Sequence, residues 1–201
     1  MGKIKFTKGE LKKQRDGLKQ YRRYLPTLQL KKQQLQMEIQ RQNIILDKKN
    51  KKADDKKAGI ERWIGLLTDP EVNIRQYIVV YKVITSTKNI AGVDLPLFER
   101  IEFKDCDYDL FITPLWVDKA LDEFKELIVI LKEIEVLEEG VKILKHELRI
   151  ATQRVNLFEK VKIPEAGEAI RRIKIYIGDQ MTNAVGRSKI AKRKIESLAA
   201  A

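Results

Sequence analysis

The segment ILKEIEVLEEGVKILKHELRIATQRVNLF (Ile130–Phe158) carries a regular apolar pattern from which the architecture of the chain can be worked out. Nine apolar residues follow one another in alternating steps of four and three: Ile130, Ile134, Leu137, Val141, Leu144, Leu148, Ala151, Val155 and Phe158. A mean spacing of about 3.5 residues is typical of a coiled-coil seam. The pattern therefore predicts a long helix, from about Thr113 to Ser197, that pairs with another helix along this seam.

This predicted helix is too long for a single globular body. About 80 residues would extend about 120 Å at about 1.5 Å per residue. After Phe158 the pattern slips, because Pro164 and Gly167 interrupt it before Ile170 and Ile173 resume it out of phase. A proline inside a helix removes a backbone hydrogen bond, so we expect a bend or a local break here.

A second long helix is predicted from Thr7 to about Lys57. Thr7 and Glu10 have the spacing of a capping box, which marks a helix start. Pro26 lies inside the pattern and is expected to bend the helix. Its seam consists of Leu11, Leu18, Tyr21, Leu25, Leu28, Leu35, Ile39 and Leu46, interrupted by Gln14, Lys32 and Gln42. Because long helices gain most of their stability by packing an apolar stripe, we expect this seam to pair with the C-terminal helix.

Between the helices, the period of the sequence changes from helical to alternating. Ile78–Thr85 is rich in β-branched and aromatic residues, and Pro96–Phe103 alternates apolar with polar side chains. Both segments are typical of strands. The intervening Ser86–Leu95 contains Asn89 and Gly92 as turn residues, which predicts a β-hairpin with a long loop.

These patterns together predict a mainly α fold, a long antiparallel two-helix coiled coil of the N- and C-terminal helices with a small middle β-hairpin insert. The corresponding segments are 1–60, 61–112 and 113–201, and they form one structural unit because the two helices pair. Pro114 lies where the C-terminal helix should begin, in a position that suits a first helical turn.

Charge is distributed unevenly along the 201 residues. The chain has a net charge of +12, yet Val93–Glu139 contains 14 acidic and five basic residues. Blocks of opposite sign indicate different partners for different parts of a chain. We interpret Lys48–Lys57, KKNKKADDKK, as a solvated helical stretch or a frayed end; a docking site for an acidic partner is the alternative.

The sequence contains no membrane-spanning pattern and no signal peptide, so we expect a soluble, intracellular protein. Cys106 is the single cysteine, and we interpret it as a packing residue more than as a reactive thiol.

The sequence predicts no catalytic residue, no cofactor-binding residue and no metal ligand. It lacks the phosphate-binding GxxxxGK[ST] motif, and His146–Glu147 has no second histidine one helical turn later. Asp105–Asp109, DCDYD, lacks the central glycine and the closing glutamate of an EF-hand loop. Paired carboxylates such as Glu138 and Glu139 are best interpreted as a solvated helix face.

The C-terminal tract Val185–Lys194, VGRSKIAKRK, contains five basic and no acidic residues. It allows two interpretations. A basic tail can fray in solvent, or it can enter a partner whose lining is acidic or offers helix C-termini.

Several segments resemble one known family, the D subunit of V-type (vacuolar/archaeal-type) ATPases and ATP synthases, and most closely its bacterial branch. The resemblance covers nearly the whole chain and rests on YRRYLPTLQLKKQQL (Tyr21–Leu35), NIAGVDLPLFE (Asn89–Glu99), YDLFITPLWVDKAL (Tyr108–Leu121), RVNLFEKVKIPEA (Arg154–Ala166), IRRIKIYIGDQ (Ile170–Gln180) and AVGRSKIAKRK (Ala184–Lys194). RVNLFEKVKIPEA is the most specific of these segments.

The resemblance implies a non-catalytic rotor shaft in a complex that couples ATP hydrolysis or synthesis to H⁺ or Na⁺ translocation. Its implied partners are the catalytic head subunits A and B, the F subunit of the central stalk and a funnel-like subunit above the membrane ring. The nucleotide sites would belong to the head, so no cofactor is implied for this chain. The implied location is cytoplasmic, peripheral to the membrane in the soluble sector.

In the implied shaft, the joined helix ends insert into the bore of the head. Basic residues of both ends would then face that bore: Lys3, Lys5, Lys8, Arg187, Lys189, Lys192 and Arg193. A nucleic-acid-binding protein with basic ends would instead favour aromatic residues interleaved with the cations, and the basic ends hold few. A coiled-coil scaffold that dimerises through its heptads is the other alternative.

Overall fold

The computed structural model of the chain describes residues 5–65, 74–104 and 113–199. Helix α1 spans Lys8–Glu61 and is followed by a 3₁₀ turn at Ile74–Gln76. Strands β1 (Val80–Ile90) and β2 (Val93–Phe103) come next. Helix α2 (Trp116–Asn156), a π-helical turn (Leu157–Lys162) and helix α3 (Ile163–Ala199) complete the order. The predicted fold class is therefore confirmed.

Helix α1 begins where the capping pattern predicted. The backbone N–H of Glu10 donates to Thr7 Oγ1 at 3.2 Å, which satisfies one of the amides that a helix start leaves free. Pro26 lies inside the helix, as the sequence predicted. The helix ends at Glu61, four residues beyond the predicted end at Lys57.

The predicted C-terminal helix is divided by the π-helical turn. The N–H of Ile163 donates to the carbonyl of Phe158, five residues earlier instead of four. Pro164 follows directly and has no N–H to offer to Lys160, so an α-helical hydrogen bond is missing at this point. The wider turn lies where the apolar pattern slips, and the predicted local break is confirmed.

The structure divides into two compact units, and the first combines residues 1–31 with residues 151–201. Within it, the Phe6 and Tyr176 rings lie 5.1 Å apart, and the Tyr21 and Phe158 rings lie 5.4 Å apart. Residue numbers rise along one helix as they fall along the other, so the two segments run antiparallel. The buried core of this unit consists largely of small residues: Ala151, Val155, Ala166, Ala169 and Ile173.

The second unit, residues 32–150, contains another antiparallel helix pair. Ala53 of α1 is buried in a cluster with Ile130 and Ile134 of α2. The nine predicted seam residues continue past residue 150 into the first unit; six of them are buried, and Leu137, Leu148 and Phe158 are half-buried. Each fully buried large apolar side chain contributes about 1.5–3 kcal/mol, so the seam is a principal source of stability.

A second apolar cluster lies at the start of α2. It joins Ile74, Val117, Ala120 and Leu121 with Trp63, Tyr77, Ile78, Trp116 and Phe124. The Trp63 and Phe124 rings meet edge to face at 5.8 Å, an arrangement that aromatic pairs favour. This cluster links the end of α1, the segment before β1 and the start of α2.

The β-hairpin is confirmed, but the predicted long loop is wrong. The strands pair from Val80↔Phe103 to Ile90↔Val93, so only Ala91 and Gly92 form the turn. Both have positive φ, 53° and 73°, as a type I′ turn requires. Asn89 Oδ1 accepts the N–H of Gly92 at 3.1 Å. The polar residues that predicted a loop instead extend both strands, because threonine and serine are compatible with a half-exposed hairpin.

None of the helices in the described residues is long and apolar enough to cross a membrane. Cys106 and the Asp105–Asp109 segment lie outside the described residues.

Candidate partner-binding surface

The C-terminal part of α3 is the most exposed helical segment in the part of the chain that the structure describes. From Gly178 to Ala199 every residue is exposed except Gly186, which is half-buried. A helix of this length gains little stability from propensity alone, so such an end normally becomes buried against something else. This segment, called the α3 end below, is the best candidate for contact with another chain.

The α3 end carries four of the residues predicted to bind a partner. Arg187, Lys189, Lys192 and Arg193 are all exposed. Lys192 Nζ lies 3.7 Å from Glu196 Oε1 on the next helical turn, where a solvent-exposed pair contributes little. The other three have no ion pair among the described residues. Their charge is therefore available to an acidic surface.

The predicted basic residues of the N-terminus lie at the same end of the first unit as the α3 end. Lys5 precedes α1 and Lys8 begins it, and both are exposed. Phe6 packs against Tyr176, so this start lies beside α3 at that level. Arg187 follows Tyr176 by 11 residues, which is about 16 Å further along the helix. The structure thus brings the basic residues of the N-terminus and those of α3 to one end of the first unit. The α3 cations lie further along the axis of α3 than the contact between Phe6 and Tyr176. Lys3 lies outside the described residues.

The α3 end also carries apolar side chains, which the sequence prediction of partner-binding residues did not include because it considered charge alone. Met181, Val185, Ile190, Ile195 and Leu198 have exposed fractions between 51% and 77%. Ile177, Met181, Ala184, Ser188, Ala191, Ile195 and Leu198 continue the steps of four and three. This spacing was the available signal, and it indicates that the α3 end offers a seam as well as cations.

The lysine-rich tract Lys48–Lys57 is helical, as predicted, but it is not simply solvated. Lys49 Nζ lies 2.7 Å from Glu133 Oε2, and Lys56 Nζ lies 2.9 Å from Glu123 Oε2 and 2.7 Å from Glu126 Oε2. The opposite charge blocks of the sequence therefore meet in part within the second unit. Lys57 Nζ also lies 3.5 Å from Asp54 Oδ1, so three lysines of this tract are engaged by acidic residues of the same chain.

The ion pairs of Lys56 change the protonation of both partners. Hydrogen bonds to Glu126, then to Glu123, raise the pKa of the Lys56 ammonium above 10.5. The hydrogen bond from Lys56 lowers the pKa of the Glu126 carboxyl below 4.5. Both groups remain charged around neutral pH, so these contacts hold α1 to α2 within the second unit.

The described residues contain no cluster of three or more histidine, cysteine or acidic side chains with the geometry to hold a metal ion. His146, Glu138 and Glu139 are exposed on α2, in agreement with a solvated face.

Comparisons with known proteins agree with the resemblance found in the sequence. The model of the ATP synthase D-subunit family matches residues 10–193. A protein from Borreliella burgdorferi, named as the D subunit of a V-type ATP synthase, is 48% identical over 97% of this chain and 96% of its own length. Proteins of the same name from Chlamydia pneumoniae and Chlamydia trachomatis serovar L2 are each 35% identical over 96% of this chain, and over 93% and 96% of their own lengths.

Proposed function

Because this chain belongs to the ATP synthase D-subunit family, we propose that it is the non-catalytic central-stalk component of a V-type ATPase or ATP synthase. It transmits torque between the catalytic head and the membrane ring, and so couples ATP hydrolysis or synthesis to H⁺ or Na⁺ translocation. Its place is cytoplasmic, peripheral to the membrane. The observation that carries this proposal is the packing of the two chain ends against each other in the first unit.

The helix pairs supply the stiffness that torque transmission requires. Their interiors hold fully buried side chains, among them Leu35, Leu144 and Ile173. Close-packed interiors resist deformation, because small displacements already lose contacts or create overlap. A packed pair of helices therefore twists less readily than a single helix.

A rotor must also be asymmetric, since each orientation has to favour a different conformation of each catalytic pair in the head. The two strands of this shaft differ in sequence and in local geometry. One contains Pro26 within an unbroken α-helix, and the other contains the π-helical turn before Pro164. These differences support an asymmetric surface in the first unit.

We propose that the α3 end and the start of α1 contact head subunits A and B. Lys3, Lys5, Lys8, Arg187, Lys189, Lys192 and Arg193 supply the cations of this contact. Exposed ionic contacts form and break at low energetic cost, which suits a surface that slides past successive partners. The other partners are the F subunit of the stalk and the funnel-like subunit above the membrane ring.

Charge reversal at the α3 end tests this function. The complex is reconstituted with Arg187, Lys189, Lys192 and Arg193 all replaced by glutamate, and assembly and ATP-driven ion transport are measured. We expect assembly or coupling to be impaired, because the cations would no longer face complementary groups. The control variant reverses Lys48, Lys51, Lys52 and Lys57, which are exposed on α1 in the second unit. Normal assembly and coupling with the α3 variant would refute the proposed contact.

A further inference from the structure

The apolar seam of the C-terminal helices contains one residue too many at a single place. Up to Phe158 the seam residues follow steps of four and three, so the next one is expected at position 162. The next apolar residue of the seam is instead Ile163, five residues after Phe158. From there the regular steps resume through residues that are buried or half-buried: Ile163, Ala166, Ile170, Ile173 and Ile177. A step of five in place of four is an insertion of one residue into the seam.

The π-helical turn accommodates this extra residue. Its hydrogen bond from the N–H of Ile163 to the carbonyl of Phe158 joins the same two seam residues that lie five apart. One residue of an α-helix corresponds to about 100° of rotation, so a regular helix here would turn a different face of α3 inward. That face contains Lys162, Glu165 and Arg172, which are exposed in the structure. The wide turn therefore keeps the apolar stripe of α3 in line with Phe158.

Pro164 fixes the position of the wide turn along the helix. In a regular α-helix the proline ring would crowd the carbonyl of Lys160, and its nitrogen has no hydrogen to donate to that carbonyl. A turn that widens directly before the proline relieves this conflict. The backbone stays helical at both borders, with φ of −61° at Asn156 and −67° at Ile163, so the wide turn continues the helix and does not end it.

Little packing holds the wide turn closed. Between the buried residues Val155 and Ala166, ten consecutive residues include none that is buried. Of the six residues of the turn itself, only Phe158 is half-buried, and its ring packs against Tyr21. Segments with few buried apolar contacts open locally at a lower cost in free energy than packed segments do.

We propose that Leu157–Lys162 is a compliant joint within the first unit, built from one residue in excess of the seam and positioned by Pro164. The joint opens and recloses while the packed turns on either side stay closed. Helix α3 can thereby adjust its twist against residues 1–31 without losing its apolar seam. Single π-helical turns inside α-helices are frequent at functional sites, which supports a role for this one. The inference concerns this chain alone and does not depend on the stalk role.

Hydrogen exchange of the full-length chain tests whether the joint opens. Exchange is followed by mass spectrometry with fragmentation to single residues. We expect the amides of residues 159–163 to exchange about tenfold or more faster than those of residues 151–155 and 167–173, since the flanking turns are held by buried side chains. Exchange of the turn at the same rate as both flanking segments would overturn the joint.

Removal of the extra residue gives the second measurement. Deletion of Lys160 shortens the step from Phe158 to Ile163 to four, and Pro164→Ala in the same chain supplies the missing N–H. We expect this double variant to have a Tm equal to or above that of the chain with Pro164→Ala alone, because a regular α-helix then continues the seam. Exchange in the former turn should slow to the rate of the flanking segments. Exchange that stays fast would show that the extra residue is not its cause and would overturn the proposal.

Deletion of Lys145 in the chain with Pro164→Ala is the matched control. Lys145 is also an exposed lysine, but it lies on α2, where the seam has no residue to spare. Its loss moves the seam residues that follow, Leu148 and Ala151 first, out of line, so we expect the Tm to fall by about 10 °C or more. Equal losses in the two deletion variants, or a Lys160 deletion that does not fold, would show that the turn holds no surplus residue and would overturn the joint.

Discussion

A few fully buried side chains hold each helix pair together. Leu144 and Leu35 in the second unit and Ile173 in the first are inaccessible to solvent. Leu35 and Leu144 are at predicted seam positions, and Ile173 belongs to the apolar pattern that resumes after Pro164. The seam positions that are polar, Gln14, Lys32 and Gln42, are only half-buried, because their polar ends must stay within reach of water or a partner.

Truncation of a seam residue should be costly. We expect Leu144→Ala to lower the free energy of unfolding by about 2–5 kcal/mol, since it leaves a cavity in a packed interface. Leu115→Ala is the matched control, because Leu115 is 92% exposed and its truncation should change stability by about 0.5 kcal/mol or less. Urea denaturation of the two variants measures the difference. Equal losses would contradict the buried seam.

The ion pair between Lys56 and Glu126 predicts a dependence on pH. Because the hydrogen bond from Lys56 lowers the pKa of Glu126, the unfolded carboxyl binds a proton more readily than the folded one. The pair therefore stabilises the fold above pH 4.5. This contribution is lost as the pH falls through the pKa that Glu126 has in the folded protein, which lies below 4.5. At high pH the limit is set by Lys56, because its pKa is raised in the folded protein. Its contribution to stability is lost only as the pH rises through this folded pKa, which lies above 10.5.

We expect Glu126→Gln to lower the Tm slightly at pH 7, with the difference from wild type disappearing well below pH 4.5. Glu138→Gln serves as the control, since Glu138 is exposed and has no ion pair among the described residues. A difference in Tm that persists unchanged at acidic pH would show that Glu126 acts through packing and not through its charge.

At the scale of elements, the sequence predicted the features that depend on a periodic pattern of buried side chains. It did not predict the features that depend on local backbone geometry. The helices follow from apolar residues in steps of four and three, a pattern with long-range regularity. The hairpin turn does not, because Ala91 gives no signal for positive φ, and Asn89 could have started a loop equally well. The slip near Pro164 predicted a break, yet a hydrogen bond from Ile163 to Phe158 decides its π-helical form.

The turn offers a stability test of its own. Ala91 has a φ of 53°, a conformation in which a Cβ atom is strained. We expect Ala91→Asn to raise the free energy of unfolding by up to about 1 kcal/mol, since asparagine tolerates this conformation and favours type I′ turns. Ala91→Val should lower it, because a β-branched side chain fits poorly there. A stabilised valine variant would contradict the turn geometry.

The candidate surfaces were also only partly predictable. The basic residues of the α3 end stand out in the sequence because charge can be counted. The exposed apolar side chains of the α3 end do not, since a pattern of steps of four and three does not show whether Met181 or Ile195 is buried or exposed. Exposure, and not spacing, separates this segment from the buried seam.

At the scale of the whole molecule, each unit is an antiparallel helix pair made from segments distant in sequence. The pairing of residues 1–31 with residues 151–201 leaves the α3 end without a covering helix among the described residues. The division of the chain into segments 1–60, 61–112 and 113–201 stays a prediction. This uncovered helical segment supports the proposal that the α3 end contacts another protein.

Direct observation of rotation tests the central claim that this chain turns relative to the catalytic head. The head is fixed to a surface, and a bead is attached through biotin at Thr87→Cys, an exposed position of β1, in a chain that also carries Cys106→Ser. We predict that the bead turns in one direction when ATP is added and stops when ATP is exhausted. A bead that stays still while the same complexes hydrolyse ATP at the normal rate would contradict the rotor function.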